Sequence, residues 1–96
     1  MWSPSDVVFD KYGNWYIADL NNHRVRKVSA GFISTVAGTG AKGHKDGPAL
    51  QAQLELPWGV VYLAGKLYFD EVSNSDIREL DLTTSELWQR IFPDPL

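Results

Sequence analysis

The sequence contains no cysteine. That excludes a disulfide framework, a thiolate metal site and a cysteine nucleophile. Positive charge is also scarce. Nine Lys and Arg stand against twelve Asp and Glu, a net charge of −3 at pH 7. A domain built to neutralise phosphates is strongly basic, and these basic residues are scattered, so no nucleic-acid partner is expected. Long apolar runs are missing. The longest, Val60 to Ala64, falls far short of the roughly 20 residues of a membrane helix, so no membrane partner is expected either. The start, Met1-Trp2-Ser3-Pro4-Ser5-Asp6, lacks the basic and apolar regions of a secretory signal. These absences describe a soluble chain of undetermined compartment. No segment carries a sustained helical period; Pro48–Leu54, with Ala49, Leu50 and Leu54, is the best candidate for a helical turn or two.

What is present is aromatic and β-branched. The 96 residues include four each of Trp, Tyr and Phe, too many for a disordered chain. Hydrophobic residues make up 44% and charged residues 22%, the balance of a globular protein with one modest core.

The chain repeats itself. Gly13-Asn14-Trp15-Tyr16-Ile17-Ala18-Asp19 aligns with Gly65-Lys66-Leu67-Tyr68-Phe69-Asp70-Glu71, and Asn22, Val25, Arg26 and Val28 align with Asn74, Ile77, Arg78 and Leu80, all at an offset of 52. Upstream, Pro4-Ser5-Asp6-Val7-Val8-Phe9 matches Pro57-Trp58-Gly59-Val60-Val61-Tyr62 at an offset of 53. One residue is therefore lost from the first turn of the second copy.

Each copy reads as four short strands separated by turn residues. They are expected near Val7–Phe9, Trp15–Ala18, Arg24–Val28 and Ile33–Ala37, then Val60–Tyr62, Leu67–Asp70, Asp76–Leu80 and Leu87–Phe92. Gly13 and Gly65 supply positive φ for tight hairpins. Four-stranded units at this spacing are the mark of β-propeller blades.

The residues carry a family resemblance. Pro-x-x-Val-Val, Gly-Asn-x-Tyr-Ile-Ala-Asp, Asn-x-Arg-Val-Arg-Lys-Val and Ile-Ser-Thr-Val-Ala-Gly-Thr-Gly resemble the NHL repeat, as does the connection from Asp46-Gly47-Pro48-Ala49 to Leu56-Pro57. The likeness is strong in the first copy and weaker in the second, where Asp70-Glu71 replaces Ala18-Asp19 and Asp76 replaces Arg24. It implies an all-β chain of two four-stranded antiparallel blades: blade 1 at 1–38, an inter-blade connection at 39–56 and blade 2 at 57–96. The second blade is not expected to repeat every polar contact of the first.

A blade packs face to face on its neighbours and cannot bury both faces alone. Two blades share one interface and leave two faces open, whereas closed propellers have about four to eight blades. The expectation is a ring completed by homo-oligomerisation, a trimer of six blades ahead of a tetramer of eight. The competing expectation is a monomeric fragment. The brevity of the chain fits two blades excised or engineered from a larger propeller.

In an up-and-down blade, alternate turns share one face of the ring. Asn21, Asn22, His23 and Asn74, with Lys42, His44, Lys45 and Asp46 of the connection and Trp58, therefore form the candidate partner or ligand face. A protein or sugar ligand is the expectation there, against the plainer one that Asn and Asp close turns while Lys and His solvate a loop. Gly38-Thr39-Gly40-Ala41-Lys42-Gly43 is formally G-x-G-x-x-G, but no helix follows to bind a phosphate. His23 and His44, with Asp19 and Asp46, could in principle hold zinc, yet no i,i+2 or i,i+4 His pair fixes them. In some propellers related to this family an axial metal takes a ligand from several blades, a place His23 could occupy in a symmetric ring. No metal or other cofactor is assigned. No Gly-x-Ser-x-Gly elbow occurs, and Asp70 and Glu71 point to opposite sides of a strand, so no catalytic residues are assigned. The repeated Arg26 and Arg78 are expected to pair with acidic or carbonyl groups, and Trp2, Trp15, Trp58 and Trp88 to pack between blades. The reading is a non-catalytic scaffold or interaction module, with sugar or small-ligand binding on the long-loop face as the alternative.

Overall fold

The computed structural model describes residues 4–72 and 77–90. They form two antiparallel sheets, one per repeat. The first takes β1 (Pro4–Phe9), β2 (Trp15–Asp19), β3 (Arg24–Ser29) and β4 (Phe32–Ala37) in chain order. The second takes β6 (Pro57–Leu63), β7 (Lys66–Glu71), β8 (Ile77–Asp81) and β9 (Glu86–Arg90), with the two-residue strand β5 (Gly47–Pro48) added outside β9. The expected strands are all present; Asp76 and Phe92 lie outside the described residues.

Two differences concern the connection. Its apolar stretch makes one 3-10 turn, Ala49–Gln51, and buries Ala49, Ala52 and Leu54, while Leu50 faces water. Gly47 and Pro48 pair with Leu87 and Glu86, so the start of the outermost strand is covered by the chain's own connection. Proline lacks a donor and suits such an edge.

The turns explain the unequal repeat offsets. In the second sheet Ala64 and Gly65 both take positive φ, 50° and 82°, the twist that joins antiparallel strands in two residues. In the first, Asp10–Asn14 makes a longer turn around a carboxylate. Asp10 accepts from the Tyr12 N–H at 2.8 Å and the Asn14 N–H at 3.0 Å.

The core lies between the two sheets. Tyr16, Ala18, Val25 and Ala37 of the first face Val60, Leu67, Phe69, Leu80 and Leu87 of the second, with Ala49, Ala52 and Leu54 closing the cluster. The burial of β7 alternates strictly, Leu67, Phe69 and Glu71 inward, as the two-residue period of a strand requires. Each fully buried Leu or Phe contributes about 1.5–3 kcal/mol. The inner strands β1 and β6 are joined directly. Ser5 Oγ donates to the Trp58 carbonyl at 2.6 Å, and Val60 N–H donates to Asp6 Oδ2 at 3.0 Å.

Each sheet leaves its other face open. The pairings Val7–Ile17, Phe9–Trp15, Trp15–Val28 and Val28–Ile33 in sheet 1 match Val60–Phe69, Tyr62–Leu67, Leu67–Leu80 and Leu80–Leu87 in sheet 2. Sheet 2 buries this surface against sheet 1, and sheet 1 presents Val7, Phe9, Trp15 and Ile33 of it to water while Ile17 is buried. Val60, Leu67 and Leu87 are 2%, 0% and 0% exposed; Val7, Trp15 and Ile33 are 41%, 47% and 59% exposed. Trp15 and Trp58 therefore do not pack between the blades of this chain, because both stand on uncovered surface. Trp2 lies outside the described residues.

Candidate functional site

The β2–β3 turn and the inter-blade connection meet at one end of the sheets. Leu20–Asn22 forms a single 3-10 turn, and His23 ends it in the left-handed region at φ 53°. The turn is tied from within. Asn22 Nδ2 donates to both Asp19 carboxylate oxygens, at 3.0 and 3.1 Å, and Arg26 Nε donates to Asp19 Oδ2 at 3.0 Å. Asn21 is at the exposed tip. His23 Nδ1 accepts the Leu56 N–H at 3.0 Å, so the imidazole joins the first sheet to the entry of the second. Arg24 Nη2 donates to the Thr39 carbonyl at 3.0 Å.

Gly38 needs to be glycine. Its φ is +96°, and a Cβ would run into the His23 carbonyl oxygen. The N–H groups of this glycine-rich stretch are engaged by the chain: Gly38 donates to the Ala49 carbonyl at 2.9 Å and Gly43 to Leu54 at 3.0 Å. They are not arrayed at a helix N-terminus as phosphate recognition requires.

Beyond the glycines, the connection folds over Arg78. Lys45 and Gln53 exchange backbone hydrogen bonds at 3.1 Å each. Their carbonyls accept from the Arg78 guanidinium at 3.1 and 3.2 Å, and Asp46 Oδ1 accepts at 3.0 Å. Glu71 Oε1 accepts from Arg78 Nη1 at 3.0 Å, both side chains wholly buried. Glu71 Oε2 takes the Glu55 N–H at 2.6 Å. His44 Nε2 lies 3.8 Å from Glu71 Oε1, and Lys42 Nζ lies 3.7 Å from Glu55. The Lys45 side chain is exposed. Glu71 and Arg78 stand in the repeat positions of Asp19 and Arg26, so the acid–arginine contact is kept in the second sheet with a side chain one methylene longer.

Trp58 is 54% exposed on β6. It borders a shallow depression with Asp70, Glu71 and Val72. Asp70 Oδ1 accepts the Gly59 N–H at 2.7 Å. The structure thus groups His44 and Asp46 around the Glu71–Arg78 pair, ties His23 to Leu56, and sets Trp58 beside Asp70. Asn74 lies outside the described residues. Among the described residues no three His, Asp or Glu side chains gather closely enough to hold a metal ion.

One feature was not legible in the sequence. At the opposite end of the inter-blade seam lies a cleft of about 630 Å³ bordered by Asp10, Asn14, Tyr16, Lys27, Tyr62 and Thr83. Tyr16 and Tyr62 stack with centroids 6.2 Å apart and planes 5° from parallel. Asp10 Oδ2 accepts from Tyr16 Oη at 3.2 Å and from Asn14 Nδ2 at 2.7 Å. Burial, then the Asp10 charge and its hydrogen bond, push the Tyr16 hydroxyl up to about 12. Desolvation alone would raise Asp10, but hydrogen bonds from Asn14, Tyr12 and Tyr16 hold it below the usual carboxylate value. The only sequence signal was a hairpin turn, because the Tyr pair comes from different repeats.

No family model matches the chain. It is similar to the protein SUPPRESSOR OF QUENCHING 1, chloroplastic, of Arabidopsis thaliana, with 36% identity over 86 residues. That match covers 86% of this chain and 8% of the relative, so the chain spans less than a tenth of the curated relative's length. It is also similar to a solved protein of unknown function from Bacteroides thetaiotaomicron, with a TM-score of 0.76 and 30% identity. There the match covers 80% of this chain and 20% of the solved one. Both matches cover a small part of a much longer protein. Among the described residues no helix is long and apolar enough to cross a membrane.

Proposed function

We propose that the chain is a non-catalytic interaction scaffold, two NHL-type propeller blades whose copies complete a closed ring, six blades as a homotrimer. One observation carries this reading. The apolar surface that sheet 2 buries against sheet 1 recurs on sheet 1 and is open there, at Val7, Phe9, Trp15 and Ile33. A contiguous apolar face of this kind marks an interaction surface. The polar groups of the connection face are mostly bonded to one another, in keeping with a structural frame. The matches to parts of much longer proteins accord with blades that work inside a larger assembly.

Light scattering on a sizing column tests this. A mass about three times 10.8 kDa, stable on dilution, is expected; four times that mass marks the eight-bladed ring. A single-protomer mass at every concentration overturns self-assembly. A second reading, sugar or small-ligand binding, has one observation in its favour: Trp58 stands exposed beside the Asp70 carboxylate. Titration with a glycan panel, read by Trp fluorescence, shows saturation if it holds.

A further inference from the structure

The two open faces differ from each other. On blade 1, Ile17 pairs with Arg26 and Asp19 with Arg24; the Asp19 carboxylate is buried and bonded to Arg26, so Arg24 is the surplus cation of that face. On blade 2, Asp70 pairs with Ile77, and Tyr68 with both Val61 and Glu79, while Lys66 bonds Glu79 at 3.3 Å. With Asp81 paired to Lys66, that face carries three carboxylates and one lysine among the residues named here. One surface thus has a surplus cation and the other a surplus anion.

We infer that the open face of blade 1 takes the open face of blade 2 from a second copy, head to tail, in the register that the two blades use within the chain. This rests on the reading that copies of the chain complete one another. Three observations carry it. The face offered by blade 1 is the repeat counterpart of the face that blade 2 already packs on blade 1, so its complement is a surface built like the inner face of blade 1. Blade 2 supplies that surface: Val61 and Tyr68 hold the register places of Val8 and Tyr16. Tyr16 stacks on Tyr62 within the chain, and the same register brings Tyr68 of one copy onto Phe9 of the next. Finally, Asp70 replaces Ala18, at the end of the sheet where blade 1 carries Arg24 and Arg26.

Pairing of like faces would bring together two surfaces with the same surplus charge, which opposes such a dimer. Unlike faces make a heterologous contact, which propagates until the ring closes. One link does not carry over. Ser5 joins the inner strands within the chain, and Trp58 occupies its place in blade 2. The contact between copies therefore differs from the internal one at the inner strands.

Two variants of exposed residues test the polarity. Trp15→Glu spoils the blade 1 face and Val61→Glu the blade 2 face. Each leaves the internal core untouched, and circular dichroism checks the fold. Each variant alone is expected to run as a single protomer at concentrations where the unaltered chain assembles. An equimolar mixture, with one variant isotopically labelled, is expected to give a one-to-one pair by native mass spectrometry and nothing larger. Homodimers of each variant, with no mixed pair, mean that like faces meet. That overturns the head-to-tail contact while leaving self-assembly intact. Variants that keep the mass of the unaltered chain show that other surfaces join the copies, and also overturn it. An unaltered chain that stays a single protomer throughout overturns a second copy as occupant, and self-assembly with it; the faces then belong to further blades of a longer polypeptide.

Discussion

Arg78 Nη1 lies 3.0 Å from Glu71 Oε1, and neither side chain reaches water. The same guanidinium holds Asp46 and the carbonyls of Lys45 and Gln53. One residue of the second sheet thereby pins the connection that leads out of the first. The counterpart in the first sheet, Arg26, is 17% exposed at its side chain and bonds Asp19 and Thr35.

Removing Arg78 should therefore cost more than removing Arg26. Arg78→Met leaves the buried Glu71 carboxylate without its guanidinium and removes one of the two donors to each of the Lys45 and Gln53 carbonyls. Breaking a buried pair this way costs about 3–5 kcal/mol, a large share of the roughly 5–15 kcal/mol that holds a domain together. Arg26→Met, nearer to water and with Asn22 still donating to Asp19, should cost less than half as much. Urea unfolding midpoints at constant m-value measure the difference; equal losses would sink the idea that Arg78 anchors the connection.

Glycine positions give a second contrast. Gly13 and Gly38 both have positive φ, +86° and +96°, but only Gly38 has a neighbour where a Cβ would go. Gly13→Ala should cost about 1 kcal/mol, the strain of a left-handed alanine. Gly38→Ala adds a collision with the His23 carbonyl and should cost at least about twice that. Thermal melts of the two variants check the order.

These two residue pairs also show what was readable in the sequence. The strands followed from local signals, alternating Val, Ile and Tyr between Gly and Asn turns, and the offset of 52 aligned Asp19 with Glu71 and Arg26 with Arg78. What Arg78 grips is set by a connection that returns from more than thirty residues upstream, from Asp46 to Arg78. Nothing in the local pattern encodes that. Leu50 and Leu54 look alike in sequence, and only the single 3-10 turn decides that Leu54 is buried and Leu50 exposed. Trp15 and Trp58 were expected to pack between blades because large rings usually find partners. Both stand open, Trp15 at 47% and Trp58 at 54% exposure, because nothing else in the described residues covers them. The Tyr16–Tyr62 cleft depends on how the two sheets stack, which no single repeat reveals.

His23 offers a test of how the blades are joined. Its Nδ1 is the acceptor for the Leu56 N–H, a group otherwise left without a partner at a residue that itself sits at φ 52°. His23→Ala should cost about 1–3 kcal/mol, the penalty of a stranded donor. Hydrogen exchange at the Leu56 amide should accelerate in this variant, while exchange in the middle of β7 changes only with global stability. An unchanged Leu56 rate would remove His23 from the joint.

The Asp10–Tyr16 pair predicts a two-sided pH response. Tyr16 titrates at about 12, above its ordinary value of 10.0. Folding therefore favours the neutral phenol. Its contribution is complete below pH 10 and is lost as the pH rises toward 12. Asp10 shifts the other way, below its ordinary value of 3.8. Folding favours the carboxylate, so that contribution is present above about pH 4 and disappears in stronger acid. Tyr16→Phe should remove the Tyr16 share of the alkaline loss while keeping the ring stacked on Tyr62. Asp10→Asn should flatten the Asp10 share of the acid limb. Urea unfolding at intervals from pH 3 to 12 separates the two. If Tyr16→Phe lost stability above pH 10 as steeply as the unaltered chain, the buried phenol would not be the titrating group.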